Sequence, residues 1–202
     1  MTYDVDDVKL LGLYPGSLVP EFTANTLDDK QLQFSDFRGK VVLVDFWATW
    51  CGPCVKDLPN VAKAYDEFAE DGFVAIGISF DQDTETVRAF VSDREMSWPQ
   101  LWADGGDKSE LAKLFGVAGV PATYLIGPDG KVVARDLHGK KLIAAVREQV
   151  KAMKTANASQ EEKPEGKAVT TDASLTTDAS KGVLVESERS ETGPDALFED
   201  EK

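Results

Sequence analysis

Two cysteines, Cys51 and Cys54, are the residues of this chain whose type and spacing are best suited to chemistry. They lie in segment 50–54, which reads Trp-Cys-Gly-Pro-Cys and follows a run of apolar residues at the start of a helical pattern. A thiol at a helix N-terminus lies at the positive end of the helix dipole, which stabilises the thiolate. Because the thiolate is the attacking species in thiol-disulfide exchange, we predict that Cys51 is a nucleophile.

Cys54 is predicted to lie one helical turn after Cys51, within reach of its sulfur. A mixed disulfide formed at Cys51 can then be resolved by Cys54 without a second protein molecule. Pro53 limits the backbone freedom between the two cysteines, and Gly52 lets another chain approach closely. This arrangement is typical of a catalytic redox pair.

Three other roles for the cysteine pair fit the sequence less well. A structural disulfide across so short a loop would constrain the unfolded chain little. A structural zinc site usually needs four Cys or His ligands, and the chain has one histidine, His138, besides its two cysteines. A Cys-His hydrolase would need His138 close to Cys51, and no sequence signal pairs them. We therefore expect no metal and no cofactor other than a redox-active disulfide between Cys51 and Cys54.

Two carboxylates are candidates for moving protons at this pair. Asp45 interrupts an apolar run, and a charge buried in a strand is costly unless it is used. Burial should raise the pKa of Asp45 and let it accept a proton from Cys54; the alternative is a structural aspartate held by backbone donors. Asp57, about one helical turn after Cys54, is a second candidate, with a solvated surface position as its alternative.

Pro121 stands at the entry of a predicted strand, where it cannot donate a hydrogen bond to the sheet and where a cis peptide bond is an option. If this turn faces Cys51, the backbone of Gly119 and Val120 is available to an extended substrate peptide. Our candidate substrate-binding residues are Trp50, Gly52, Pro53, Gly119, Val120 and Pro121.

The elements that must position these residues follow from hydrophobic periodicity. Segments 21–24 and 30–34 flank a turn and predict a hairpin, and the apolar segment 41–46 predicts a central strand buried on both faces. An amphipathic helical pattern, interrupted by Pro59, runs from Cys54 to about residue 71. A second buried strand is predicted after this helix, at residues 73–80.

The second half of the pattern again alternates strands and helices. Asp81 and Asp83 favour the N-terminus of a helix whose inward face includes Val87. The alternation of predicted strands and helices along the chain indicates an α/β fold in which a mixed central sheet is flanked by helices. The remaining predicted elements are a short strand at 98–102, a short helix at 111–115, a hairpin of segments 122–126 and 131–137, and a last helix with a buried stripe between 142 and 153.

Charge and hydropathy exclude several classes of function. The 202 residues have 36 acidic against 22 basic side chains and a net charge of −14, which disfavours binding to nucleic acid or to an anionic membrane. The longest apolar stretch, 41–48, is interrupted by Asp45 and is too short for a membrane span. The 42% hydrophobic content is sufficient for a buried core.

Composition divides the chain into three parts. Residues 1–14 form an N-terminal extension, 15–154 a domain, and 155–202 an acidic low-complexity tail that we predict to be disordered, with a docking motif around Leu197 and Phe198 as the alternative. The acidic N-terminus lacks the pattern of an export signal. This is expected of a cytosolic chain and equally of a mature or partial form, so the sequence assigns no compartment.

Over about residues 15–154 the chain resembles the thioredoxin superfamily, and most closely its TlpA/ResA-type redoxin branch. The resemblance implies a thioredoxin-like fold with an insertion at about 83–102. It also implies that Cys51 attacks, Cys54 resolves, Asp45 handles the proton and the Val120-Pro121 segment shapes the substrate groove. The matching segments are 44–48 (Val-Asp-Phe-Trp-Ala), 50–54, Pro59, 119–121 (Gly-Val-Pro) and 123–130 (Thr-Tyr-Leu-Ile-Gly-Pro-Asp-Gly).

The chain departs from that branch at both carboxylates. The branch often has Asn where Asp45 stands and Glu where Asp57 stands, whereas Asp45 is the residue found in thioredoxins. The Gly-Pro dipeptide of the motif resembles that of strongly reducing thioredoxins. Members of the branch are commonly exported or membrane-anchored.

We therefore predict a monomeric thiol-disulfide oxidoreductase that reduces protein disulfides and is recharged by an upstream thiol donor. One alternative is a peroxide-reducing redoxin. That chemistry places Thr or Ser three residues before the reactive cysteine and Pro further upstream, where this chain has Ala48 and Leu43. The other alternative is a non-catalytic binding module with a thioredoxin fold.

Overall fold

The structure is a computed structural model that describes residues 12–161. The N-terminal extension up to residue 11 and the predicted tail beyond residue 161 lie outside the described residues. No helix within the described part of the chain is long and apolar enough to cross a membrane. The strands are β1 (Thr23–Asn25), β2 (Gln31–Gln33), β3 (Val41–Trp47), β4 (Phe73–Ser79), β5 (Gln100–Trp102), β6 (Ala122–Ile126) and β7 (Val132–Arg135), and the α-helices are α1 (Gly52–Phe68), α2 (Thr84–Asp93), α3 (Glu110–Phe115) and α4 (Gly139–Glu161).

The main sheet has five strands in the order β5-β4-β3-β6-β7. β3 pairs in parallel with β4 and antiparallel with β6, which confirms the predicted mixed sheet. β1 and β2 form a separate antiparallel hairpin, also as predicted. Every residue of β3 is buried, as expected for a central strand rich in β-branched and aromatic side chains.

Helices cover both faces of the sheet, because successive side chains of a strand point to opposite sides. Phe46 meets Phe115 of α3 edge to face, with ring centroids 5.3 Å apart. Its neighbour Trp47 packs against Phe90 of α2 at 5.4 Å. α1 packs along α4, whose buried stripe is Leu142, Val146, Val150 and Met153, as the periodicity predicted.

α4 continues past residue 154, where the composition changes, as far as Glu161. Lys154 forms an ion pair with Asp71, and the hydroxyl of Thr155 donates to the Lys151 carbonyl at 3.0 Å. The helix therefore extends beyond Met153, the last residue of α4 that is buried in the core.

Candidate redox site

The cysteine pair lies where β3 gives way to α1. Cys51 is the N-cap residue of α1, and Cys51 and Cys54 form a disulfide with their Cα atoms 5.3 Å apart. The Cys51 Sγ also accepts a hydrogen bond from the backbone N-H of Cys54 at 3.3 Å. The sequence-based placement of Cys51 at a helix N-terminus is thus confirmed. Its sulfur lies where the helix dipole and the Cys54 N-H group stabilise negative charge.

Access to the sulfurs is limited to one side. Both cysteines are only 5% exposed, whereas Trp50 beside them is 66% exposed. A Cβ atom added at Gly52 would meet nothing within 4 Å, so the space above the motif is open. A partner chain can therefore reach the disulfide over Gly52 and against the indole of Trp50.

The turn before β6 lies beside the cysteine motif. The Val120-Pro121 peptide bond is cis. On one side of the motif, Gly119 and Trp50 line a shared cavity of about 480 Å³. On the other side, Pro121 and Pro53 line a second cavity of about 390 Å³, the proline-side cavity. The other residues that line the proline-side cavity are Lys56, Asp57, Asn60, His138 and Gly139.

Asp45 lies in β3 opposite Gly77 of β4 and Thr123 of β6. It is 7% exposed, and no group of residues 12–161 donates a hydrogen bond to its carboxylate. Burial, and secondarily the charge of Asp57, raises the pKa of Asp45 to about 7. The structure thus lacks the backbone donors of the structural alternative, and Asp45 can take up and release a proton near neutral pH.

Asp57 is held by three groups and is not a freely solvated surface carboxylate. It accepts hydrogen bonds from the side-chain amide of Asn60 at 2.7 Å and from the backbone N-H of Gly139, at the start of α4, at 2.8 Å. The Nδ1 atom of His138 lies 3.2 Å from the second carboxylate oxygen. His138 therefore has a partner that the sequence did not indicate, and that partner is Asp57.

Asp81 is a site residue whose position the sequence analysis assigned wrongly. Asp83, not Asp81, caps α2, by accepting from the Thr86 N-H at 2.8 Å. Asp81 is 4% exposed and accepts from both the backbone N-H and the hydroxyl of Thr49, at 3.0 and 2.6 Å, and from the Ser79 hydroxyl at 2.7 Å. It therefore ties the loop that carries Cys51 to the end of β4. The sequence contained a signal for this role, because a buried acidic side chain directly after a buried strand needs hydrogen-bond donors.

The arrangement is suited to reversible two-electron chemistry at sulfur. Two cysteines can exchange between dithiol and disulfide at a helix N-terminus, and the preceding strand β3 contains a buried carboxyl group whose pKa is raised to about 7. No group of three or more His, Cys, Asp or Glu side chains within residues 12–161 is placed to hold a metal ion.

Comparison with known proteins agrees with this geometry. A family model described as the AhpC/TSA family matches residues 15–135. The chain belongs to this family. Thiol-disulfide oxidoreductase ResA of Bacillus thuringiensis subsp. konkukian (strain 97-27) is 32% identical over 136 residues, which are 67% of this chain and 76% of ResA. The thioredoxin-like protein YneN of Bacillus subtilis (strain 168) is 32% identical over 139 residues, 67% of this chain and 78% of YneN.

Solved structures show the same fold and activity class. The thioredoxin domain of a thiol-disulfide oxidoreductase from Bacteroides vulgatus is 33% identical with a TM-score of 0.63, covering 68% of this chain and 99% of that domain. A thiol:disulfide interchange protein from a Bacteroides species is 32% identical with a TM-score of 0.62, covering 69% of this chain and 91% of its own. This AhpC/TSA-family chain is a TlpA/ResA-like thiol-disulfide oxidoreductase with a thioredoxin-like fold.

Proposed function

We propose that the enzyme reduces disulfide bonds in protein substrates. The observation that carries the proposal is the position of Cys51 as the N-cap residue of α1, beside the exposed Trp50 and the turn that contains Pro121. The names of its relatives, thiol-disulfide oxidoreductase and thiol:disulfide interchange protein, support it. An extended substrate segment lies against the backbone of the turn at Gly119 and Val120.

The first half of the reaction takes place at Cys51. In the reduced enzyme the Cys51 thiolate attacks one sulfur of the substrate disulfide, forms a mixed disulfide and displaces the other substrate sulfur as a thiolate. The helix N-terminus favours the attacking anion, because Cys51 Sγ accepts the Cys54 N-H.

The second half resolves the mixed disulfide. Cys54 gives its proton to the Asp45 carboxylate, and the resulting thiolate attacks Cys51 Sγ and breaks the bond to the substrate. The substrate leaves as a second thiolate, and it acquires a proton from Asp45 or from water. Two electrons have then passed to the substrate, and the enzyme holds the Cys51-Cys54 disulfide until a thiol donor reduces it.

Two serine variants test the order of these steps. Cys51→Ser should abolish turnover in an insulin-reduction assay, whereas Cys54→Ser should form long-lived mixed disulfides that a non-reducing gel detects. The two variants are matched, because each removes one sulfur and prevents the internal disulfide. Full activity of Cys51→Ser would overturn the proposal.

The reducing direction is tested by the redox potential of the pair. A potential near thioredoxin's, roughly −270 mV, agrees with the proposal. A value near roughly −120 mV, typical of the oxidant DsbA, would reverse the proposed direction of electron flow.

A second candidate, reduction of peroxides, is favoured by the description of the family as AhpC/TSA. It requires Cys51 to attack a peroxide, and Cys54 or an external thiol to reduce the sulfenic acid that forms. Ala48, three residues before Cys51, is fully buried and supplies no hydroxyl for this chemistry. Rapid hydrogen peroxide turnover that persists in Cys54→Ser would favour this candidate over disulfide reduction.

A further inference from the structure

The proline-side cavity contains a contact between a histidine and a carboxylate that the proposed reaction does not use. The Nδ1 atom of His138 lies 3.2 Å from Asp57 Oδ2, and the other oxygen of Asp57 accepts from Asn60 and from the Gly139 N-H. The Asp57 side chain is 17% exposed, while His138 is 47% exposed and open to solvent. The imidazole of His138 therefore lies directly beside a largely buried carboxylate.

Asp57 also acts electrostatically on Asp45, the buried carboxyl group of β3. The charge of Asp57 is the second cause, after burial, that raises the pKa of Asp45. A cation placed on Asp57 offsets that charge, so Asp45 feels less repulsion and releases its proton more readily. The pairing with His138 thus offers a route by which a solvent-exposed group acts on Asp45.

No other cation in the cavity takes this position. The titratable residues of its lining are Lys56, Asp57 and His138. Lys56 forms no ion pair with any residue between 12 and 161, and Lys140 follows on α4 without lining the cavity. From β3, the titratable group that interacts with Asp57 is Asp45.

We propose that His138 is a positioning residue for the exchange reaction, which acts on Asp45 through Asp57. The contact of the His138 ring with Asp57 compensates part of the Asp57 charge and so helps Asp45 to ionise. This inference rests on the proposed role of Asp45 in the proton transfer, and it names the group that regulates that transfer.

Two substitutions of His138, one to a positively charged residue and one to a neutral residue, distinguish this role from a structural one. His138→Arg and His138→Asn both keep an N-H donor for Asp57, but only the arginine is always positively charged. The Asp45 pKa should fall by about 0.5 unit in His138→Arg and should stay the same or rise in His138→Asn. Lys140→Gln, which removes a nearby cation outside the cavity, is the matched control and should leave the Asp45 pKa unchanged.

The measurement is a carbon-13 NMR titration of the aspartate carboxyl groups in the full-length protein, with the Asp45 signal assigned by its loss in Asp45→Asn. An Asp45 pKa that falls in His138→Arg and stays the same or rises in His138→Asn supports the inference. Equal shifts in both variants, or none beyond that of Lys140→Gln, would overturn it. The rate of insulin reduction by Asp45→Asn tests the proposed proton transfer separately. An unchanged rate would contradict the proton role of Asp45. The NMR titration would still show whether His138 changes the pKa of Asp45.

Discussion

At the scale of single residues, Asp45 has the environment most unlike that of an ordinary carboxyl group. It lies in the central strand without a hydrogen-bond donor among the described residues, and its pKa is raised to about 7. A buried carboxylate lowers stability unless it is neutralised. Asp45 stands six residues before Cys51, and a carboxyl group with this pKa could serve the proton transfer that we propose.

We predict that Asp45 makes the stability of the protein depend on pH. Below about pH 4 the Asp45 carboxyl is protonated in both the folded and the unfolded chain, and its burial then does not lower the free energy of unfolding. As pH rises above this value through the folded pKa of about 7, the free energy of unfolding falls, because only the unfolded chain ionises freely. The shift from 3.8 to about 7 corresponds to about 4 kcal/mol.

Urea unfolding of the wild-type protein and of Asp45→Asn, between about pH 4 and pH 8, measures this effect. The asparagine is nearly the same size and does not titrate. The free energy of unfolding of the wild type should therefore fall with pH relative to that of the variant. Parallel curves for the two proteins would contradict the prediction.

At the scale of elements, the position of Cys51 depends on how the loop between β3 and α1 is held. Asp81 accepts three hydrogen bonds at the end of β4, two of them from Thr49 in that loop. The Trp102 indole N-H of β5 donates to the Asp81 carbonyl at 2.8 Å, so two strands, β4 and β5, and the loop converge on one residue. The position of Cys51 at the start of α1 is therefore supported from the sheet.

We predict that Asp81→Ala destabilises the protein by about 3 kcal/mol, because buried donors of Thr49 and Ser79 lose their acceptor. The matched control is Asp83→Ala, which removes an exposed N-cap of α2 and should cost about 1 kcal/mol. Thermal or urea unfolding of both variants measures the difference. Equal losses would mean that the Asp81 hydrogen bonds contribute no more than an ordinary helix cap.

At the scale of the whole molecule, the net charge of −14 acts on every charged substrate. Long-range attraction raises the rate at which oppositely charged molecules meet, and salt screens it beyond a Debye length of about 10 Å at 0.1 M. The exchange reaction itself needs no charge on the substrate. The net charge therefore affects how often the enzyme encounters a given protein disulfide, but not the exchange reaction that follows.

We predict that a basic protein disulfide is reduced faster at low ionic strength than at high ionic strength. Raising the salt from about 10 mM to about 200 mM should slow its reduction several-fold and should slightly speed that of an acidic protein. A small uncharged disulfide is the control and should show no salt dependence. The second-order rate constants, measured with the full-length reduced enzyme, decide the outcome. A basic and an acidic substrate that respond alike would contradict the prediction.

Much of the fold and the centre of the site could be predicted from the sequence, because the signals are local. The apolar run of β3, the helical spacing after Cys54 and the turn residues of both hairpins each lie within one short segment. The cysteine spacing also places both sulfurs at a helix N-terminus without reference to the rest of the chain. These predictions agree with the structure, and the redox chemistry follows from them.

Only the tertiary structure decided which polar side chains meet. Asp57 and His138 are 81 positions apart, and Asp81 and Thr49 are 32 positions apart. Periodicity shows which face of an element is buried but not which residue of another element lies opposite it. The pairing of Asp57 with His138 depends on how α1 packs along α4, and the contacts of Asp81 depend on where β4 ends beside β3. Such distances arise from the packing of the whole domain, and so no segment of the sequence specifies them alone.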